Sequence, residues 1–577
     1  MGARAEGQAR PVPRWMPTVL LALAAGALLS FHLDLPGLFD NEGRYAEVAR
    51  EMLLRGDFVT PQMDSTLFLN KPPLLYWLVA AVFAVVGPSE WGRIVIVVTA
   101  MITIVMTGRL GARLYDETTG LVAAAFLTTT VGFVLEARTL RPDAIVVASI
   151  VGAILCWLCA ETGADASRGR WLAAMYAVLG VGVLAKGLVP VVVAGVPIVL
   201  CTVRDHGLAG LRRLRPVLGL VVGGIVVLPW HVVVSVRHPG FAWDYVVNQH
   251  LLFFLDKKFP RDSEGDSLVT FWTAFVGRSL PWVLLVPFVL REAWAGRLAS
   301  APGTSRSTAL LAAWAGGLLL FFSAAPSRLE HYTLPALPPV AILSARAFER
   351  LRRGEPGAGV WYALGAVSVV LMVVGGVGVT VGRALLERVY WLAQEPRLLA
   401  LVLPAATAAL LGGAAMAWAV RGRHGTLAAA GLAAFTIPLL VIVLRAEVVA
   451  EPLFSWKPVG ETITRRVPAD VEIIFEAPEE YQQVGGLAFY TGRPITMIAP
   501  PGFIPPTYLE PYVAHMFLSR ADFERRWSSG VRLAFVSDPQ KRRDSSEGLV
   551  PAPSHVLGRF GDRWILTNYP TDAPAAG

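Results

Sequence analysis

Charge is scarce in this chain. Only 16% of its 577 residues are Asp, Glu, Lys or Arg, against 54% hydrophobic, and mean hydropathy is +0.54. That scarcity excludes an ordinary soluble protein, which could not bury so much apolar surface. Cysteine is scarcer still. Cys156, Cys159 and Cys201 are the only three, and all lie in apolar segments. The C-terminal region has none, so no disulfide framework supports it. Cys156 and Cys159 form a C-x-x-C, but on an apolar helix without other soft ligands this spacing argues against metal or redox chemistry. The chain also lacks a phosphate-binding P-loop, a serine-hydrolase elbow, a tight metal-ligand spacing, a nucleotide-binding glycine fingerprint and an internal repeat.

What the chain has is long apolar runs. Ile94–Met106, Ala144–Ala160, Val217–Val236, Val360–Val381 and Leu399–Val420 are almost free of charge. Several approach the roughly 20 residues needed to cross a hydrocarbon core about 30 Å thick. The net charge of +8 does not point to nucleic acid, because the arginines sit in short clusters between these runs. Met16–Phe31 follows Arg4, Arg10 and Arg14 and reads as an uncleaved first span rather than a removed signal. Pro73–Gly87 is short for a crossing. If it lies along the outer surface, the remaining runs make about thirteen spans. Arg109/Arg113, Arg168/Arg170, Arg204 with Arg212, Arg213 and Arg215, Arg291/Arg297, Arg346 through Arg353, and Arg421/Arg423 then all fall inside. The N-terminus is expected in the cytoplasm and the C-terminal part outside.

Two domains are expected. Residues 1–445 form an all-α polytopic membrane domain, and residues 446–577 a small α/β domain outside the membrane. In the latter, strands are predicted at Val471–Glu476, Leu487–Tyr490, Ile495–Ala499, Arg532–Val536 and Trp564–Thr567, with a helix at Ala521–Trp527.

Concentrated charge marks the outer segments Asp34–Arg93, Glu136–Asp143, Arg237–Ser279 and Ser323–Thr333, and charge kept at a membrane surface points to function. The first opens with Asp40-Asn41-Glu42-Gly43-Arg44-Tyr45. Tyr45, Val48, Ala49, Met52 and Leu53 then recur at helical spacing, opposite Arg44, Glu47, Arg50, Glu51 and Arg55, with Gly56 as a stop. This predicts an amphipathic helix lying in the membrane interface. Its bland reading is that Asp40 or Asn41 caps the helix and Glu42 favours its dipole. Asp143 follows Arg138 and Arg141-Pro142 at the start of a long apolar helix, where its bland reading is again a dipole partner. Two acids on one membrane face, each beside arginines, also suit a transferase. One carboxylate deprotonates an acceptor, and basic groups neutralise a phosphate leaving group.

Candidates for that basic role are Lys71 before Pro72-Pro73, Lys186 before Gly187, and Arg328 in Ser327-Arg328-Leu329-Glu330-His331-Tyr332. Each alone could be a snorkelling surface charge. The third outer segment adds His250, Asp256, Lys257, Lys258, Arg261, Asp262 and Asp266, although a lone histidine is more often structural.

The order Arg44-Tyr45-Ala46-Glu47-Val48-Ala49-Arg50-Glu51-Met52, Gly56-Asp57, then Asn70-Lys71-Pro72-Pro73-Leu74-Leu75-Tyr76-Trp77-Leu78 resembles the bacterial polyprenyl-phosphate-sugar glycosyltransferases of the GT-C fold. It is nearest to the aminoarabinose transferases that modify lipid A, with the protein O-mannosyltransferases further off. The likeness continues through Arg141-Pro142-Asp143, Ala185-Lys186-Gly187, Leu228-Pro229-Trp230, Ser279-Leu280-Pro281-Trp282 and residues 321–335. The resemblance implies transfer of a sugar from an undecaprenyl-phosphate carrier to an envelope lipid, glycan or protein, at the outer face of a bacterial inner membrane. It places catalytic acids at Glu42, Asp40 and Asp143, and Glu42, with Asp40 nearby, is the preferred general base, Asp143 being a second acid that positions acceptor or base. It places carrier or substrate contacts at Lys71, Arg44, Tyr45, Arg138, Lys186, His250, Lys257, Arg328, His331 and Tyr332. No cofactor is required, since the lipid phosphate is itself the leaving group.

The sequence departs from the family pattern at Asn41, where relatives carry aspartate, and at Asn70, where close relatives carry a glutamate able to join a metal site. It departs again at Ser267 and Phe253, which replace a histidine and an arginine. A divalent metal is therefore an open, weakened expectation. Rival readings are a protein O-glycosyltransferase, a flippase for a lipid-linked sugar, and a scaffold whose site has decayed.

Overall fold

The computed structural model describes residues 13, 15–258, 265–287, 289–290, 304–354, 358–476, 482, 484–499, 508–509, 516–537 and 545–571. Among the described residues seven helices are long and apolar enough to cross a membrane, including Asp143–Thr162, Val189–His206 and Pro216–Arg237. Met16–Ser30 and Leu74–Val86 are apolar but shorter. The figure of about thirteen counts apolar runs and so takes in shorter and partly described helices. Arg291 and Arg297 lie outside the described residues.

Packing separates the helices that face protein from those that face lipid. The Asp143–Thr162 helix is central, with Ile150, Ile154 and Trp157 all buried. Pro216–Arg237 is peripheral, leaving Leu220, Ile225, Leu228 and Val236 exposed. A row of large apolar side chains on an outer face is stable in hydrocarbon and costly in water, at roughly 25 cal/mol per Å².

The first charged segment, Asp34–Arg93, holds a helix at Asp40–Arg55, ended by Gly56 at φ 67°, a left-handed conformation that glycine adopts without a Cβ penalty. The N-cap is Phe39 rather than Asp40 or Asn41. A short hairpin, β1 (Gln62–Met63) and β2 (Thr66–Leu67), follows. The apolar face is buried as its spacing requires, at Tyr45, Val48, Ala49 and Met52. The polar face is a correction to the sequence reading. Glu42, Glu47 and Glu51 are only 1%, 0% and 5% exposed, so the acids of this helix are covered by protein rather than left on an open face.

It is covered instead by the C-terminal region. There β3 (Glu472–Glu476), β4 (Ile495–Ile498), β5 (Phe517–Leu518), β6 (Leu533–Ser537), β7 (His555–Phe560) and β8 (Arg563–Thr567) form one sheet in the order β5-β4-β3-β6-β8-β7. The first four strands pair in parallel and the last two antiparallel. Continuous apolar runs such as Ile473–Phe475, buried on both faces, are what a parallel sheet demands.

Helices Lys457–Arg466 and Arg520–Trp527 accompany the sheet. The predicted strand at Leu487–Tyr490 is instead part of a helix, Val484–Thr491. Its apolar residues do not alternate with polar ones, so a short run like this fits either element, and contact decides. A Cβ on Gly43 would collide with the backbone of Gly486, and one on Gly485 with Arg44. Two helices thus meet backbone to backbone. Gly37 N–H donates to Glu451 (2.9 Å), Leu38 N–H to the Tyr490 hydroxyl (2.6 Å), and Phe39 bridges Ser455. The last long helix, Gly425–Val449, runs past the expected boundary at 445/446.

Candidate active site

Asp143 is the first residue of its helix, with Pro142 as N-cap. Proline is pre-shaped for that position, and a carboxylate there meets the positive end of the helix dipole. Its Oδ1 accepts a hydrogen bond from Lys186 Nζ at 2.6 Å. Lys186 is the last residue of the helix Asp165–Lys186, where a cation suits the dipole. The helix stops at Gly187, φ 77°, where a Cβ would strike the His250 ring. Only glycine fits both the backbone and the imidazole. The Lys186 ammonium lies 5.2 Å from the Tyr332 ring centroid, a cation–π contact.

Charged groups alternate outward from this pair. Arg141 lies 3.5 Å from Glu136, Glu136 takes a second ion pair from Arg278 (2.8 Å), and Arg278 reaches Glu330 (2.7 Å). His331 is held well below the usual imidazole range, first by burial and then by the neighbouring Lys186, with Asp143 opposing. It is therefore a neutral ring beside an ion pair. His250 is also lowered, by burial above all. As a neutral ring its Nδ1–H donates to the Tyr245 carbonyl at 2.6 Å, and Nε2 accepts from Leu188 N–H at 3.3 Å.

Beside the Asp143–Lys186 pair lies a cavity of about 400 Å³, which His331, Arg141 and the Glu136–Arg278 pair do not line. Lys71, Asp143, Lys186, His250 and Tyr332 line its polar part, while Val192, Val193, Phe254 and Phe321 line the rest. Val192 is also exposed on the outer face of its helix, so the apolar part runs towards lipid. A charged head with a hydrocarbon tail matches that division. The four segments that the sequence marked for charge, with Lys186, supply the polar part, from positions far apart in the chain.

Other predicted site residues lie elsewhere. Glu42 does not line the cavity. Its Oε1 accepts from Arg93 Nε (2.9 Å) and Leu140 N–H (2.6 Å), and its Oε2 from Arg93 Nη2 (2.6 Å) and Phe39 N–H (2.8 Å). Burial opposes ionisation, but Arg93 and the two backbone donors hold the carboxyl below its usual range. With both oxygens engaged, Glu42 fixes the segment leading into Asp143. The Asp40 side chain lies outside the described residues.

Arg44 donates to Gln482 Oε1 (2.7 Å) and to Asn41 Oδ1, joining the first helix to the C-terminal region. Tyr45 stacks on Tyr76 at 6.1 Å between centroids. Arg138 donates to the carbonyls of Leu29 (2.5 Å) and Phe31 (3.0 Å) and to Glu447 (3.3 Å). Arg328 donates to the carbonyls of Asp266 (2.8 Å) and Ser323 (3.2 Å). Both arginines therefore bind carbonyls at helix ends and in loops rather than the cavity. Lys257 is exposed and does not line it. Arg261 and Asp262 lie outside the described residues.

Sequence reasoning passed over Arg93, Tyr245, Gln249 and the Glu136–Arg278 pair. In the sequence Arg93 marks only the end of a charged segment, and nothing singles out Tyr245. Only the fold shows what they touch.

Residues 70–232 match the family described as dolichyl-phosphate-mannose-protein mannosyltransferase. An undecaprenyl phosphate-alpha-4-amino-4-deoxy-L-arabinose arabinosyl transferase of Pseudomonas paraeruginosa is 28% identical over 347 residues, 58% of this chain and 60% of that protein. The same-named protein of Pseudomonas aeruginosa is 29% identical over the same shares. The chain spans about 60% of the length of these curated relatives. The crystal structure of ArnT from Cupriavidus metallidurans bound to undecaprenyl phosphate superposes with a TM-score of 0.75 at 23% identity, covering 97% of this chain and 98% of that one. The fold is the GT-C fold of ArnT. An oligosaccharyltransferase of Archaeoglobus fulgidus shares the fold more distantly, with a TM-score of 0.53 at 12% identity over 92% of this chain and 70% of that one. The ArnT fold and the apolar helices make this chain a multi-pass membrane protein with a C-terminal sheet region.

Proposed function

We propose that this chain is a glycosyltransferase that moves a sugar from a polyprenyl-phosphate carrier to an acceptor of the cell envelope. One observation carries the reading. The Asp143–Lys186 pair and Lys71 lie at the polar part of a cavity whose remaining wall is apolar and runs towards lipid. The names of the relatives and of the ArnT complex point the same way.

In this reading the carrier phosphate sits against Lys71, and the first isoprene units lie along Val192, Val193 and Phe321. Asp143 faces the acceptor and takes the proton from its hydroxyl or amine as the new glycosidic bond forms. The bond from the sugar carbon to phosphate oxygen breaks, and the lipid phosphate leaves with its electron pair, stabilised by Lys71 and Lys186. Glu42 acts as a positioning residue, replacing the earlier assignment of base. The reading routes no step through a metal. Asp143 is already bound to an ammonium, and Asn70, whose Oδ1 accepts from the Tyr508 hydroxyl at 2.9 Å, brings no negative charge. That donor set does not suit a hard dication.

The cavity would open at the outer face of a bacterial inner membrane, with the N-terminus in the cytoplasm and the 446–577 domain outside. An aminoarabinose-like sugar and a lipid A-like acceptor follow from the relatives' names and from the resemblance. Transfer to protein hydroxyls is the second reading, favoured by the family matched over 70–232.

The deciding experiment is mass spectrometry of envelope lipids and glycoproteins from cells carrying the wild-type gene, a deletion, or Asp143→Asn. A sugar lost from a lipid in both altered strains supports the first reading, and one lost from a protein the second. Unchanged glycans overturn both.

A further inference from the structure

A second cavity lies at the other end of the same helices. The Asp143–Thr162 helix is 20 residues long, about 30 Å at 1.5 Å per residue. It starts at the cavity just described and ends with Trp157, Leu158 and Thr162 in the wall of a separate cavity of about 490 Å³. The Val189–His206 and Thr304–Ala324 helices run likewise, from Val193 to Cys201 and from Phe321 to Arg306.

This wall is built of guanidinium groups: Arg113, Arg306, Arg346 and Arg353, with Tyr115 and Asp116. Among the described residues, the carboxylates paired with these arginines do not balance the positive charge. Asp116 serves Arg353 (3.1 Å) and, at 3.8 Å, Arg346. Asp205 serves Arg306 (2.7 Å) and Arg204 (3.0 Å). Glu349 serves Arg352 (2.7 Å) and Arg353 (2.8 Å). Positive charge is in excess even before Arg113 is counted. Arg346 is fixed over the Tyr115 ring, 5.1 Å from its centroid, and its Nε is buried without a hydrogen-bond partner among the described residues. Trp157, 1% exposed and part of the same wall, has an indole Nε1 without a hydrogen-bond partner among the described residues. Buried donors without acceptors cost free energy unless something completes them.

We infer that this cavity binds a phosphate-bearing anion at the end of the bundle opposite the Asp143 cavity. Guanidinium forks match the paired oxygens of a phosphate, and four of them around a polar cavity supply more charge than one carboxylate ligand needs. Exposed Val199 and Leu200 immediately precede Cys201 on a wall helix, so the phosphate could arrive as a lipid headgroup with its chains along that helix. A free phosphate in solution offers the same head. The inference is independent of the proposed transferase reaction.

The test is native mass spectrometry of the full chain in detergent micelles, titrated with dioleoyl phosphatidic acid, with inorganic phosphate, and with dioleoylglycerol as a phosphate-free control. Arg113→Glu and Arg346→Gln are compared with wild type and with Lys71→Ala, which marks binding at the other cavity. Arg113 is exposed, so its variant keeps the packing, and size-exclusion chromatography confirms the folded state of each. One phosphatidic acid or phosphate per chain is expected, weakened about tenfold or more in Kd by either arginine substitution and unaffected by Lys71→Ala. Binding of phosphatidic acid without competition from inorganic phosphate identifies a lipid headgroup. Equal binding of inorganic phosphate identifies a soluble anion. No saturable adduct, or binding unchanged in Arg113→Glu and Arg346→Gln, overturns the proposal.

Discussion

Glu42 and Asp143 are both buried acids near the start of a helix, and both are flanked by arginine in sequence. Glu42 is saturated, with four donors on two oxygens, and nothing of it is left for chemistry. Asp143 holds one strong partner, Lys186, and borders an open cavity. The comparison teaches that a carboxylate's role is set by its remaining valence for hydrogen bonds and by what space it faces. Burial and neighbouring charge alone do not distinguish a clamp from a reacting group.

The largest effect expected is on turnover. Asp143→Asn should lower kcat by about 10²–10⁴, measured as sugar transfer from a synthetic polyprenyl-phosphate donor, with a smaller fall in Tm than Glu42→Gln. Near wild-type kcat would erase the contrast from the catalytic side.

Glu42→Gln should act chiefly on stability. It leaves Arg93 buried and unpaired at 3% exposure, which costs roughly 3–5 kcal/mol. Thermal unfolding of the purified protein measures this, and kcat per folded molecule should fall far less than for Asp143→Asn. Because the folded pKa of Glu42 is lowered, its contribution is present above the ordinary value of 4.5 and is lost as pH falls below it. A Tm that held steady down through that range would break the clamp assignment.

Lys71→Ala sharpens the comparison on the phosphate side. A charge-assisted hydrogen bond is worth about 1.5–3 kcal/mol, so KM for the carrier-linked donor should rise roughly tenfold to a hundredfold. A kcat effect with KM unchanged would move Lys71 away from ground-state binding.

The smallest effect concerns a third acid, Asp64, at the turn of the β1–β2 hairpin. Burial, with Glu47 nearby, pushes its carboxyl up to about 7. An acid raised in this way stabilises the folded state fully below its ordinary value of 3.8, and that contribution is lost as pH rises to about 7. Asp64→Asn should remove this decline and raise Tm by a few degrees, on the order of 2–4 °C per kcal/mol, in mildly alkaline buffer. Asparagine keeps the acceptor for Ile495 N–H and tolerates the φ of 50°. A Tm unchanged or lowered there would show that Asp64 is ionised and paired.

By itself the sequence determined the membrane class, the segments between apolar runs that carry charge, and the small α/β region at the end, because hydropathy and residue periodicity are local properties. It also marked Lys71, Asp143, Lys186, His250 and Tyr332. The segment Leu487–Tyr490 was misread, since a short apolar run suits strand or helix equally and only its backbone contact with Gly43 favours the helix.

Tertiary structure alone decided which charged residues share a space. Arg138 and Arg328 look equal to Lys71 along the chain, yet their guanidiniums are taken up by carbonyls at helix ends and in loops. Glu42 looked equal to Asp143 until Arg93 and Leu140 arrived from other elements. The physical reason is that hydrogen-bond capacity and exposure to a cavity are properties of packed neighbours. In this fold those neighbours come from positions tens to hundreds of residues away.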